Sequence, residues 1–250
     1  MTITPDLIRA LVPALSGERA RTVAATLDEA ARPAQITTPQ RVAQFVAQLA
    51  HESAGFRYLE EIWGPTAAQT RYEGRRDLGN TQPGDGFRFR GRGWIQLTGR
   101  HNYRLYGRLL GLPLEAQPDL AAQPAVAARI AATYWTQRNL NALADAGDFE
   151  GITRRINGGT NGLTERRAYL GRALAHLIPP APPRVLLVPQ GGGEMVEWDG
   201  KPALYGGVPL SDDLVAQLRT VYPPGGERAR YMGLNVYHRR NGDLVLERGT

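Results

Sequence analysis

The sequence predicts a mainly α domain followed by a small α+β module. Three observations carry that expectation. Through the first 178 residues, apolar positions recur with a helical period behind N-capping residues. Pro179-Pro180-Ala181-Pro182-Pro183 then forms a stiff stretch. Beyond it, Asp-Gly and Asn-Gly dipeptides stand between short strand-like runs. The expected boundaries are a domain over 1–178, a linker over 179–183 and a module over 184–250.

Thr4-Pro5 is a start signal for a short helix through Val12, and Ser16 to Ala31 reads as a second. Thr38-Pro39 supplies an N-cap and a proline at the first helical position. Val42, Phe45, Val46 and Leu49 follow at i, i+3, i+4 and i+7, a stripe facing a core. Extending that stripe reaches Glu52 and Ser53, and Gly55 ends the helix. Thr66 to Gly74 reads as a short helix. Asp77 to Trp94 is dense in Gly and Pro and reads as loop with short extended pieces. Thr98 is expected to cap a helix carrying Tyr103, Leu105, Tyr106 and Leu109. Pro124–Leu140, Phe149–Ile156 and a segment from Thr164 through Leu177 complete the helical part. In the module, Arg184 to Val188 reads as a strand and Ser211 to Val221 as a helix. Asp199-Gly200 and Asn241-Gly242 read as hairpin turns.

Composition bounds the chemistry. With 42% hydrophobic residues the chain can bury a core. It has no cysteine, so disulfides and thiolate metal sites are excluded. No stretch approaches the roughly 18 apolar residues of a membrane span. Met1–Leu15 lacks a basic n-region and an apolar core, so no signal peptide is expected. The net charge is +6, and between Arg71 and Arg108 nine arginines face three acids. Such a segment attracts anionic partners, or serves solubility and ion pairing.

The stretch from Ala50 to Tyr103 holds the chemistry-bearing residues. A carboxyl at the end of an apolar stripe is costly to bury charged, which favours the protonated form that a general acid needs. Glu52 occupies that position; a salt-bridged glutamate at a helix end would look the same. Glu61 lies nine residues on, past the Gly55 break, with Glu60 beside it and Glu73 further along. Spacing does not choose a base among them. His51-Glu52 is not a zinc motif, because Gly55 stands where the second histidine would be. The four histidines (51, 101, 176 and 238) are scattered, so no metal and no cofactor are expected. Gly91-Arg92-Gly93 lacks the Gly-Lys-Ser/Thr of a phosphate cradle. Arginines with Phe87, Phe89 and Trp94 suit stacking on single-stranded nucleic acid or on sugar rings alike.

These residues form recognisable motifs: His51-Glu52-Ser53-x-Gly55-Phe56, Gly79-Asn80-x-x-Pro83-Gly84-Asp85-Gly86, Arg90-Gly91-Arg92-Gly93-x-Ile95-Gln96-Leu97-Thr98-Gly99-x-x-Asn102-Tyr103, and Ile156-Asn157-Gly158-Gly159. Over about residues 38–177 they resemble glycoside hydrolase family 19, the chitinase-like lysozymes, and within it the bacteriophage endolysin branch. The resemblance implies a lysozyme-like helical hydrolase domain that cleaves β-1,4 bonds between N-acetylated sugars by inversion. It implies Glu52 as general acid and Glu61 as base, with Glu73 the nearest match to the base of plant-type members. Thr98 matches the hydroxyl that helps hold the attacking water. Gln96, Asn102 and Asn157 match sugar-binding residues, and Arg166 matches a family arginine near the last helix. The expected partner is the peptidoglycan glycan strand, with chitin as the alternative, and no nucleic acid. A monomer is expected, made in the bacterial cytoplasm and reaching the wall after release or export. The resemblance does not extend to 184–250.

Overall fold

A computed structural model describes residues 2–178, 184–189, 194–201, 203–205, 207–222, 224–226 and 229–248. The chain divides into two compact units, Met1–Pro179 and Pro180–Thr250. The Pro-rich stretch 179–183 lies outside the described residues.

The first unit is helical. Its α-helices are α1 Pro5–Leu11, α2 Gly17–Ala31, α3 Pro39–Glu52, α4 Ala67–Thr70, α5 Asp85–Arg88, α6 Arg100–Leu110, α7 Pro124–Gln137, α8 Leu140–Asp145, α9 Phe149–Asn157 and α10 Leu163–Leu177. The cap residues explain the starts. Thr4, Ser16, Thr38 and Asp148 each accept a hydrogen bond from the backbone N–H three residues on, satisfying donors that helix geometry leaves unpaired. α3 is the central element: every residue from Val42 to Ala50 is buried. It packs along α10 and also touches α1 and α8, while α2 lies on α7. Trp135 of α7 meets Phe45 of α3 edge-on at 5.3 Å.

Three expectations shift here. Pro124–Leu140 is not one helix: it ends at Gln137, and Asn139 takes a left-handed φ of 50° before α8 begins. Asparagine tolerates that region better than most residues. Thr98 does not cap α6. Gly99 holds the N-cap position at φ 89°, and a Cβ there would lie 2.7 Å from the Leu78 carbonyl oxygen. The stretch 77–94 contains α5 and a 3-10 turn, and its extended pieces are single bridges, Glu60 to Arg92 and Arg92 to Leu97.

The second unit is a small α+β fold. Its strands are β1 Val185–Leu187, β2 Val196–Glu197, β3 Ala203–Tyr205, β4 Val208–Leu210, β5 Ala229–Tyr231, β6 Leu234–His238 and β7 Leu244–Arg248, with α11 Asp212–Val221. One sheet runs β2-β1-β7-β6-β5, with β1 parallel to β7; β3 and β4 pair separately. Val185, Leu210, Leu218, Leu234, Val236, Leu244 and Leu246 form the core of this unit. Asn241-Gly242 does turn β6 into its antiparallel partner β7. Asp199-Gly200 turns the chain without making a hairpin: β2 pairs with β1 and β3 with β4. A turn dipeptide fixes local direction, whereas strand partners are set by burial.

Candidate active site

The end of α3 presents Glu52. The helix stops in a tight turn: Ala54, Gly55 and Phe56 all have positive φ, at 51°, 73° and 59°. Non-glycine residues in that region cost on the order of 1 kcal/mol each, so the surroundings must enforce it. Buried Ser53 does so, donating to the Leu49 carbonyl at 2.6 Å and accepting from the Phe56 N–H at 3.0 Å. Phe56 then meets Trp94 edge-on at 5.7 Å, which ties the helix end to the Gly-rich loop.

Glu52 does not sit alone on the apolar face: the structure shows the salt-bridged glutamate at a helix end, so burial without a partner does not supply the argument for a protonated acid. Arg166 of α10, only 2% exposed, donates to Glu52 Oε1 at 2.5 Å, to Gln48 Oε1 at 2.5 Å and to the Asn161 carbonyl at 3.2 Å. Arg166, placed by the resemblance among the substrate-binding residues, is here buried on three protein acceptors, where it holds the Glu52 carboxyl in place. Glu52 Oε2 accepts no hydrogen bond from any described residue.

Glu61 is set by the loop. Its N–H donates to the Gly91 carbonyl at 2.8 Å, and Gly91 N–H returns a bond to Glu61 Oε2 at 3.1 Å. Glu61 Oε1 accepts from buried Gln69 at 3.0 Å. Tyr72 stands close: burial first, then the negative charge of Glu61, push its phenol above the ordinary range. Gly91 marks where three side chains converge. A Cβ there would lie 2.7 Å from Gln96 Oε1, 3.3 Å from Glu61 Oε2 and 3.4 Å from Thr98 Oγ1. Gln96 itself has a left-handed φ of 52°. The Thr98 hydroxyl donates to the Gln96 carbonyl at 2.9 Å, and Asn102 donates to the Thr98 carbonyl at 2.7 Å.

The frame behind this loop is Arg92, which the sequence placed in the Gly/Arg motif without giving it a role of its own. It is 2% exposed and binds Glu60, Asp119, the Arg88 carbonyl and the Tyr103 hydroxyl. Tyr103 donates to the Arg90 carbonyl at 2.7 Å, and burial pushes its phenol up to about 12. The basic segment is thus largely self-paired. Arg75, Arg90, Arg92, Arg100 and Arg104 each meet a carboxylate.

Glu52, Ser53, Ala54, Tyr58, Glu60, Glu61, Ile62 and Gln96 line one cleft of about 200 Å³. Thr98 stands beside it through Gly91. The structure does not bring Glu73, Asn102 or Asn157 onto its walls. Glu73 accepts from the N–H groups of Gly84 and Gly86, bracing the start of α5. Asn157 bridges its own loop, from the Gly159 N–H to the Asn161 carbonyl. Glu60 is turned onto Arg90 and Arg92. A larger pocket, about 370 Å³ between α2 and α7, has Glu29 as its single carboxylate and offers no acid–base pair. Among the described residues no group of three or more His, Cys, Asp or Glu could hold a metal, and no helix is long and apolar enough to cross a membrane.

The chain is similar in sequence and fold to known proteins. The glycoside hydrolase family 19 sequences described as chitinase class I match residues 20–145. A glycosyl hydrolase family 19 domain-containing protein of Haemophilus influenzae is 36% identical over 160 residues, 53% of this chain and 77% of that protein. An endochitinase of Arabidopsis thaliana is 40% identical over 121 residues, but the match spans only 40% of its length. A bacterial family 19 chitinase structure superposes with a TM-score of 0.59 at 23% identity, covering 71% of this chain and 96% of that one. The class IV chitinase of Zea mays superposes with a TM-score of 0.51 at 25% identity, covering 72% and 94%. The helical architecture and the sequence relationship agree: this chain belongs to glycoside hydrolase family 19, as a chitinase-like enzyme.

Proposed function

We propose that this chain hydrolyses β-1,4 glycosidic bonds of peptidoglycan by single displacement, with Glu52 as general acid and Glu61 as general base. The observation that carries the proposal is that, of the three carboxylates lining one cleft, Glu60 is paired with Arg90 and Arg92, while Glu52 and Glu61 stand in different surroundings. Glu52 ends a buried helix beside Arg166, with Oε2 available to protonate the glycosidic oxygen. Glu61 sits on a separate segment and takes the proton of the attacking water. Thr98 gives its own hydroxyl proton to the Gln96 carbonyl, so toward a water it acts as an acceptor. A hydroxyl positioned this way suits a held water better than a carboxylate nucleophile. Inverting enzymes leave about 6.5–9.5 Å between carboxyl groups for that water.

Charge supports peptidoglycan over chitin. The chain carries +6, peptidoglycan stem peptides carry carboxylates, and chitin carries none. The plant relatives named endochitinases favour chitin as the second reading. Turbidity loss on permeabilised Gram-negative cells, run beside a chitin assay, separates the two. In either substrate, proton NMR in the first minutes should show the α-anomer, and an initial β-anomer signal would overturn the roles given to Glu61 and Thr98. Glu52→Gln keeps an amide oxygen for Arg166 but removes its carboxylate, so it should melt at a lower temperature, stay folded under assay conditions and lose about 10²–10⁴-fold in rate.

A further inference from the structure

The second unit carries a cleft of about 200 Å³ on the sheet face opposite its core, lined by Val188, Met195, Asn235, Tyr237, Arg239, Val245 and Glu247. Strand alternation creates it. On β6, Leu234, Val236 and His238 are buried, so Asn235 and Tyr237 point to the other face. Their partners across β7 are Glu247 and Val245. Val245, 8% exposed, and Val188 form an apolar floor, with the 40% exposed Met195 at its rim. The polar groups stand around that floor. No described residue hydrogen-bonds the side chains of Asn235 or Tyr237, and Arg239 donates only weakly, to the Met195 sulfur at 3.5 Å.

The size and the groups select an occupant. At ~30 Å³ per water, the cleft holds roughly six or seven waters, enough for one sugar ring and too small for a helix or strand. A half-exposed tyrosine ring offers the apolar face on which a pyranose stacks. The Asn235 amide matches the donor and acceptor of an N-acetyl group, whose methyl fits the Val188–Val245 floor. Arg239 can pair with a stem-peptide carboxylate.

We propose that this sheet face binds an N-acetylated sugar of the peptidoglycan strand, holding the enzyme to the polymer that its first unit cuts. The choice of polymer rests on the reading above; the cleft and its chemistry do not. The second contact raises apparent affinity by making cleft binding in the first unit intramolecular.

The test uses full-length Glu52→Gln protein, so that the ligand survives. Titration with N-acetylglucosamine tetramer is followed by backbone and side-chain amide NMR. Shifts at the Asn235 side-chain amide and at the Tyr237 and Val245 amides are the expected result. Shifts confined to residues around Glu52 and Glu61 would overturn the proposal and leave the catalytic reading intact. Shifts at neither site would overturn it as well. Sedimentation with purified peptidoglycan sacculi and with chitin beads distinguishes the sources. In the same background, Tyr237→Ala and Asn235→Leu should each weaken binding to sacculi and to chitin about tenfold or more, because both polymers carry the N-acetylated ring, whereas Arg239→Ala should weaken sacculus binding and spare chitin. Unchanged sacculus binding in Tyr237→Ala and Asn235→Leu sinks the idea, and an Arg239→Ala variant that loses chitin and sacculi equally overturns the choice of polymer.

Discussion

At the scale of single residues, three glutamates (Glu60, Glu61 and Glu73) compete for the role of base and their surroundings separate them. Glu60 is paired with Arg90 and with buried Arg92, and Glu73 lies off the cleft walls, bracing the N–H groups of Gly84 and Gly86. Glu52 is held by Arg166, which leaves Glu61 as the cleft-lining carboxylate at the convergence point by Gly91. Glu61→Ala should therefore lower kcat by about 10²-fold or more in protein that is still folded, with some loss of Tm from the Gln69 and Gly91 hydrogen bonds it gives up. Glu60→Ala should act mainly on Tm, because it strips one carboxylate from a buried guanidinium. Glu73→Ala should do the same through the loop. Steady-state rates and melting curves on the three variants check this, and an inactive Glu73→Ala beside an active Glu61→Ala would reverse the assignment. The residues themselves were legible in the sequence because the motifs are local. Their partners were not. Gln69 and Arg166 reach the carboxylates from 8 and 114 residues away, and nothing in periodicity announces such a contact.

At the scale of elements, the helices with sequence-visible caps were readable, and the Gly-rich connection between Gly79 and Tyr103 was not. Its order comes from charge buried by tertiary contacts. Asp85, 1% exposed, accepts from the N–H groups of Thr81 and Gln82 and from Arg100 at 2.5 Å. The hydrogen bond from Arg100 is the main reason its carboxyl is held below the usual range, against the opposing effect of burial. A carboxylate whose folded value is depressed stabilises the fold fully above its unfolded value, about 3.9, and loses that contribution as pH falls toward the folded value. Glu115, which shares Arg100 with Asp85, is held at about 2, first by Arg104 and then by Arg100. Acid should therefore loosen this loop between about pH 4.5 and 2. Asp85→Asn should cost about 3 kcal/mol at pH 7, the scale of breaking a buried ion pair. Urea midpoints measured for both proteins from pH 7 to pH 2.5 should show that gap shrinking as pH falls. A gap independent of pH would mean that packing, and not charge, holds the loop.

At the scale of the whole molecule, the two units differ in how each makes a core. The first stacks amphipathic helices about α3, and its buried cluster runs from Ile3 to Ala173. The second closes a five-stranded sheet with α11 over a separate cluster from Val185 to Leu246. The change was visible in sequence as a switch from helical spacing to strand-and-turn signals, because each pattern must match the element that buries it. The order β2-β1-β7-β6-β5 was not visible, since pairing β1 with β7 joins segments about sixty residues apart. Separate cores make separate folding units. All the residues around the Glu52–Glu61 cleft, and the α3–α10 packing that fixes Arg166, precede residue 178. A chain ending at Ile178 should therefore be soluble and show a cooperative melt. It should hydrolyse short soluble N-acetylglucosamine oligomers within about twofold of the full-length rate. Its losses should appear only on insoluble polymer, where a second contact matters. Aggregation of that chain, or a large rate loss on soluble oligomers, would mean that residues 184–250 complete the catalytic fold.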